Sequence, residues 1–180
     1  MVLTGTPGTG KTTLGRAIAK LTGAKLVDAN ALVKKKRLWF NRTKREVDLA
    51  ALKREIKREI KAPLADGKGF IAEGHLLCEF ALPCDACLVL RCNPCVLARR
   101  LKARGYSKKK ISENVLCEIL DYCLVKAEAH YGAKRVVEVD TTRRTSPARL
   151  LKAAQTKRGN CTNWSGVLLD ERFKNGFGLS

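Results

Sequence analysis

Apolar residues recur along the chain with two spacings. Short contiguous runs suit buried strands, and steps of three or four residues suit one face of a helix. Val2-Leu3 opens as a strand, and Leu14, Ala17, Ile18 and Leu21 mark a helix that Gly23 stops. A second strand spans Ala24 to Val27, and Asp28 caps a helix through Lys35. After a cationic stretch to Arg45, Val47, Ala51, Leu52, Ile56 and Ile60 line one side of a helix. Its other side carries Lys53, Arg54, Lys57, Arg58 and Lys61, and Pro63 and Gly67 end it. Phe70-Ile71-Ala72 and Cys87 to Leu90 are the third and fourth strands. Asn93-Pro94, an N-cap followed by proline at the first helical position, opens a helix to Ala103. Arg104-Gly105-Tyr106 breaks it, Ser107 caps one long helix running toward His130, and Gly132 stops that one. Val136 to Val139 is a fifth strand, and Ser146-Pro147 starts a last helix ending near Lys157. Strands alternating with helices predict parallel βαβ units and an α/β fold.

The chemistry gathers at strand ends. Gly5-Thr6-Pro7-Gly8-Thr9-Gly10-Lys11-Thr12 lies between the first strand and the first helix, the context of a phosphate-binding loop. Its glycines let backbone N–H groups close around phosphate oxygens, Lys11 reaches the β- and γ-phosphates, and the Thr12 hydroxyl joins a Mg²⁺ shell. The helix directs its N-terminal dipole at the same place. A nucleoside triphosphate with Mg²⁺ is the expected ligand. The third strand ends in Glu73-Gly74-His75, at the carboxyl edge where open α/β sheets bind ligands. Glu73 is suited to hold magnesium or its water, and His75 to orient or deprotonate an attacking water or hydroxyl. Arg99, Arg100 and Arg104 bracket the Arg-Gly-Tyr break, the pattern of a lid that brings cationic charge to a phosphoryl group as water is excluded.

A length of 180 residues suits one domain, with a tail of different composition beyond Gly159. No apolar run is long enough to span a membrane, and Met1 leads straight into the first strand, so a cytoplasmic location is expected. Lys and Arg number 36 against 17 acids, a formal charge of +19. That excess exceeds what a nucleotide demands and allows a polyanionic partner; the same clusters also read as solvated helix faces. Cys84, Cys87, Cys92 and Cys95 resemble two zinc knuckles, but only Leu88 to Arg91 separate the pairs. A buried strand there carries them apart, so the cysteines are expected as small apolar residues.

Taken together, four motifs resemble the small adenylate kinases of archaea and the eukaryotic nucleus. They are Gly-Thr-Pro-Gly-x-Gly-Lys-Thr-Thr, an acid-x-His after the third strand, Arg-x-x-x-Arg-Gly-Tyr-Ser-x-x-Lys, and Asn114-x-x-Cys117-Glu118-Ile119. The resemblance covers roughly residues 1 to 155. It implies a five-stranded parallel P-loop sheet of the nucleoside-monophosphate-kinase type in a domain of residues 1–157. It implies adenylate kinase and ATPase activity and a role in small-ribosomal-subunit assembly, with a platform ribosomal protein and rRNA as partners. Gly8, Gly10, Lys11, Thr12 and Thr13 match the ATP-phosphate positions. Residues 30–52 match the segment receiving AMP, residues 103–113 the lid, and Arg104 its nucleotide-contacting arginine, with Arg100 a second clamp. Glu73 stands where the family usually has Asp, and Thr145-Ser146-Pro147 where the adenine-side loop often reads Asn-Lys-Pro. Lys34, Lys35 and Lys36 suit either an acceptor phosphate or an RNA-facing surface. The tail, residues 158–180, falls outside the resemblance. Its Trp164, Val167, Leu168, Leu169, Phe173 and Phe177 suggest docking to the body or to a partner.

Overall fold

The computed structural model of the chain describes residues 1–41, 43 and 46–169. Arg42 and Arg45 of the cationic stretch lie outside the described residues, as do Phe173 and Phe177 of the tail and the side chains of Leu168 and Leu169. In chain order the first elements are β1 (Val2–Thr4), α1 (Lys11–Thr22), β2 (Lys25–Asp28), α2 (Ala29–Lys36), β3 (Trp39–Asn41), β4 (Glu46–Val47) and α3 (Leu49–Ala65). There follow β5 (Phe70–Glu73), β6 (Cys87–Arg91), α4 (Pro94–Ala103), α5 (Lys108–Ile119), α6 (Tyr122–Tyr131), β7 (Val136–Asp140) and α7 (Pro147–Thr156).

Five strands form one parallel sheet in the order β2-β5-β1-β6-β7, the expected class. The period of two sends neighbouring side chains to opposite faces. Val2, Cys87 and Val89 pack with Leu52, Ile56 and Tyr131 on the side covered by α2, α3 and α6. Leu3, Leu88 and Leu90 pack with Ile18 and Leu150 on the side covered by α1 and α7. A third cluster, Leu97 and Leu101 with Ile111, Val115 and Ile119, joins α4 to α5. The register pairs Asp28 with Glu73 and brings the carboxyl ends of β1, β2 and β5 to one edge. Ligand-binding loops of such sheets emerge there.

The structure departs from the sequence reading at three places. The single long helix expected from Ser107 toward His130 is two helices, because Asp121 takes a left-handed conformation (φ 55°) between α5 and α6 and turns its carboxylate to Arg91. The cationic stretch contains a short antiparallel hairpin, β3 with β4. Pro63 lies inside α3 instead of ending it. It falls within the last turn, and Asp66 N donates to the Ala62 carbonyl at 2.9 Å before Gly67 (φ 68°) turns the chain away. The start of the tail docks on the body: Asn160 N donates to the Glu138 carbonyl at 2.9 Å, and Asp140 N donates to Asn160 Oδ1 at 3.0 Å, along the free edge of β7. Trp164 and Val167 reach the α4–α5 cluster. No helix among the described residues is long and apolar enough to cross a membrane.

Candidate active site

Three glycines shape the loop between β1 and α1. Gly5 (φ 130°), Gly8 (φ 97°) and Gly10 (φ 96°) hold backbone conformations that side chains disfavour. At Gly5 space forbids a side chain as well, since a Cβ would stand 2.3 Å from the Leu90 carbonyl oxygen on β6. Gly10 caps α1 without a side-chain hydrogen bond, so the helix presents its first amides to the loop.

Lys11 is buried, and its Nζ donates to the carbonyls of Gly5 at 2.7 Å and Thr6 at 3.0 Å. Burial pulls its pKa down to about 8, against the opposing pull of Glu73 and Glu118. Glu73 has no exposed surface, and neither carboxylate oxygen accepts a hydrogen bond. Burial raises its pKa, the nearby Thr12 hydroxyl lowers it, and Asp28 raises it again. A buried carboxylate with both oxygens unmatched, near a threonine hydroxyl, is the donor chemistry a hard divalent cation takes. Among the described residues no cluster of three or more His, Cys, Asp or Glu could hold a metal. His75, the first residue of a short 3₁₀ turn (His75–Cys78), has its pKa driven down to about 4, by burial first and by Lys11 next. It is neutral near pH 7.

These residues share one cavity of about 500 Å³. Gly8, Gly10, Lys11, Thr12 and Thr13 line its loop side and Glu73 and His75 its floor. Asn30, Val33, Lys34, Trp39 and Val47 line the side of α2 and the hairpin, and Arg104 and Tyr106 the side of the α4–α5 turn. A second cavity, about 640 Å³, lies between α1 and the loop 141–147 and shares Gly8, Gly10, Thr13 and Arg104 with the first. Of the three arginines singled out from the sequence, Arg99, exposed on α4, lines neither cavity, and Arg100 stands apart from the first. The Arg100 guanidinium donates to the carbonyls of Thr141 at 2.9 Å and Thr142 at 3.0 Å and lines the second cavity. Arg104 ends α4 and borders both. All eight cysteines are free thiols; Cys78, Cys87, Cys92 and Cys123 are buried.

Sequence reasoning missed what lies beneath the loop. Arg91, at the end of β6, is buried and donates to Glu118 Oε1 at 2.9 Å, to Glu138 Oε2 at 2.7 Å and to the carboxylate of Asp121. Glu118 Oε2 accepts from the Thr6 hydroxyl at 2.5 Å. The signal was a charge at the end of an apolar strand, matched by an acid within the Ile111, Val115, Ile119 stripe of a helix. Trp39 was missed because β3 is only three residues long, and Val47, read as the first apolar position of the following helix, lies instead in the two-residue strand β4, before Asp48 caps α3.

The model of the "AAA domain" family matches residues 1–121. The chain is 36% identical over 171 residues to the "Putative adenylate kinase" of Thermococcus onnurineus, covering 91% of this chain and 89% of the relative. It is 34% identical over 174 residues to the protein of the same name from Pyrococcus furiosus, covering 93% and 92%. Among solved structures, a "putative kinase" from Chloroflexus aurantiacus superposes with a TM-score of 0.57 at 18% identity, covering 87% of this chain and 93% of that one, a likeness of fold. The chain therefore belongs to the AAA domain family and to the family of relatives, described from archaea, that carry the adenylate kinase name.

Proposed function

We propose that the protein transfers the γ-phosphoryl group of ATP to AMP, giving two ADP. The observation that carries this reading is the single cavity joining the glycine loop and Lys11 to α2 and the β3–β4 hairpin, room for a donor phosphate and an acceptor phosphate side by side. The relatives' name supplies the nucleotide class. Phosphoryl transfer is chiefly positioning and charge stabilisation. The loop amides and Lys11 hold the donor phosphates, Lys34 faces the acceptor side, and Arg104 brings a further cation from the α4–α5 turn. Arg100 acts through the loop it ties down, where Thr145 and Ser146 border the cavity suited to the donor base. Thr12 and Glu73 would hold Mg²⁺, which would supply positive charge to offset that of the transferred phosphoryl group.

A second reading draws on the charge of +19. In it the protein is an ATP-driven assembly factor that binds a platform ribosomal protein and rRNA of the small subunit, with neutral His75 guiding a water to the γ-phosphate. The two readings separate on ADP formation from ATP alone, from ATP with AMP, and from ATP with ribosomal protein or rRNA. The expected result is strong dependence on AMP that Lys11→Ala abolishes, a loss of about a thousandfold or more. Turnover indifferent to AMP and raised by ribosomal components overturns the kinase reading in favour of the second.

A further inference from the structure

The loop that carries Lys11 rests on a buried ionic cluster. Glu118, 2% exposed, uses both carboxylate oxygens: Oε1 accepts from Arg91 Nε at 2.9 Å and from the Cys92 amide at 3.0 Å, and Oε2 accepts from the Thr6 hydroxyl at 2.5 Å. Arg91 is fixed from its other nitrogens by Glu138, by Asp121 and by the Glu118 carbonyl at 3.1 Å. The Thr6 carbonyl, on the same residue that Glu118 grips, accepts from Lys11 Nζ at 3.0 Å and from the Thr9 hydroxyl at 2.9 Å. An unbroken chain of contacts thus runs from α5 through Thr6 to the lysine.

We propose that Glu118 is a positioning residue for phosphoryl transfer: anchored by Arg91, its carboxylate fixes Thr6, and Thr6 fixes the ammonium of Lys11. A buried ion pair is weak ground for stability, because well-packed apolar side chains of like volume often serve as well. What Glu118 provides that an apolar residue cannot is an oxygen aimed at the loop. Glu118 itself touches neither cavity, so it acts through Thr6. The effect falls on the ATP side, since no acceptor-side residue among those described shares the chain of contacts.

The inference rests on the phosphoryl-transfer reading and is tested by steady-state kinetics with MgATP and AMP. Thr6→Val removes the hydroxyl and leaves the Glu118–Arg91 pair in place. It is expected to lower kcat/KM for ATP about tenfold to a hundredfold, raising KM for ATP and lowering kcat while KM for AMP stays within about twofold. Thr6→Ser restores the hydroxyl and is expected to recover most of the loss. A merely structural role predicts instead a smaller active fraction, with both KM values unchanged, and that result overturns the proposal. Glu118→Leu, which removes both oxygens while Glu138 and Asp121 still hold Arg91, is expected to be little worsened by adding Thr6→Val, because both break one chain; additive losses overturn it. Melting curves accompany each variant, and the Thr6 series stands by itself if Glu118→Leu fails to fold. Lys11→Ala keeps the two levels apart. Activity surviving in Lys11→Ala overturns the underlying reading, whereas an inactive Lys11→Ala with a wild-type-like Thr6→Val overturns this inference alone.

Discussion

A histidine kept neutral beside a buried lysine leaves a signature in acid. Burial, Lys11 and Lys110 hold the folded-state pKa of His75 near 4, with Glu79 opposing, while the unfolded chain titrates near 6.5. Between those values the unfolded chain binds the proton and the folded one does not, so stability declines as pH falls from about 6.5 to 4. Urea unfolding at pH 7, 6, 5 and 4 is expected to show that decline in the wild type and a flatter course in His75→Gln; identical slopes would exclude His75 as the source. Lys11 and His75 were legible in the sequence as cavity residues because their places follow from short spacings, a glycine loop before a helix and a strand end. The roles of Arg91 and Glu118 were not, because they lie 27 residues apart along the chain and only the packing of α5 under the loop makes them partners.

At the scale of elements, two glycines with left-handed backbones separate steric demand from conformational preference. A Cβ on Gly5 would meet the Leu90 carbonyl at 2.3 Å, and neither strand can yield, since β1 and β6 pair through Val2, Leu3 and Thr4. Gly105 (φ 73°), in the turn between α4 and α5, has nothing within 4 Å of that position. Gly5→Ala is expected to destabilise by roughly 4 kcal/mol or more and to abolish nucleotide binding, Gly105→Ala by about 1–2 kcal/mol with binding kept. Thermal melts with and without MgATP measure both, and equal losses would refute the account. Element ends were read well where a cap announces them: Asp28, Asn93, Ser107 and Ser146 each accept an amide of their helix. The break between α5 and α6 was missed because Leu120-Asp121 carries no glycine or proline. Asp121 adopts its left-handed conformation where its carboxylate meets Arg91, a tertiary cause.

Across the whole molecule, positive charge is distributed beyond what the cavity uses. Arg54, Lys57, Arg58 and Lys61 form an exposed stripe on α3, with Arg58 drawn to Glu55, while Lys34 alone of its cluster lines the cavity. If that stripe meets nucleic acid, affinity for an rRNA oligonucleotide falls steeply with salt, through counterion release. Replacing Arg54, Lys57 and Lys61 by Gln is expected to reduce the slope of log affinity against log salt by about one for each phosphate that is no longer neutralised, with AMP-dependent turnover unchanged. A slope equal to that of the wild type assigns the stripe to solvent.

By itself the sequence determined the strands of the main sheet, the caps, the phosphate loop and the acid and histidine after the third strand. Each is written in the spacing of neighbours, where local propensity and periodicity act. The tertiary structure decided which charges meet. It assembled the Arg91 cluster under the loop, tied Arg100 to the 141–142 carbonyls, and folded the tail against β7. Those pairings join residues far apart in the chain, and the partner of a buried charge is set by packing in three dimensions, to which local sequence carries no address.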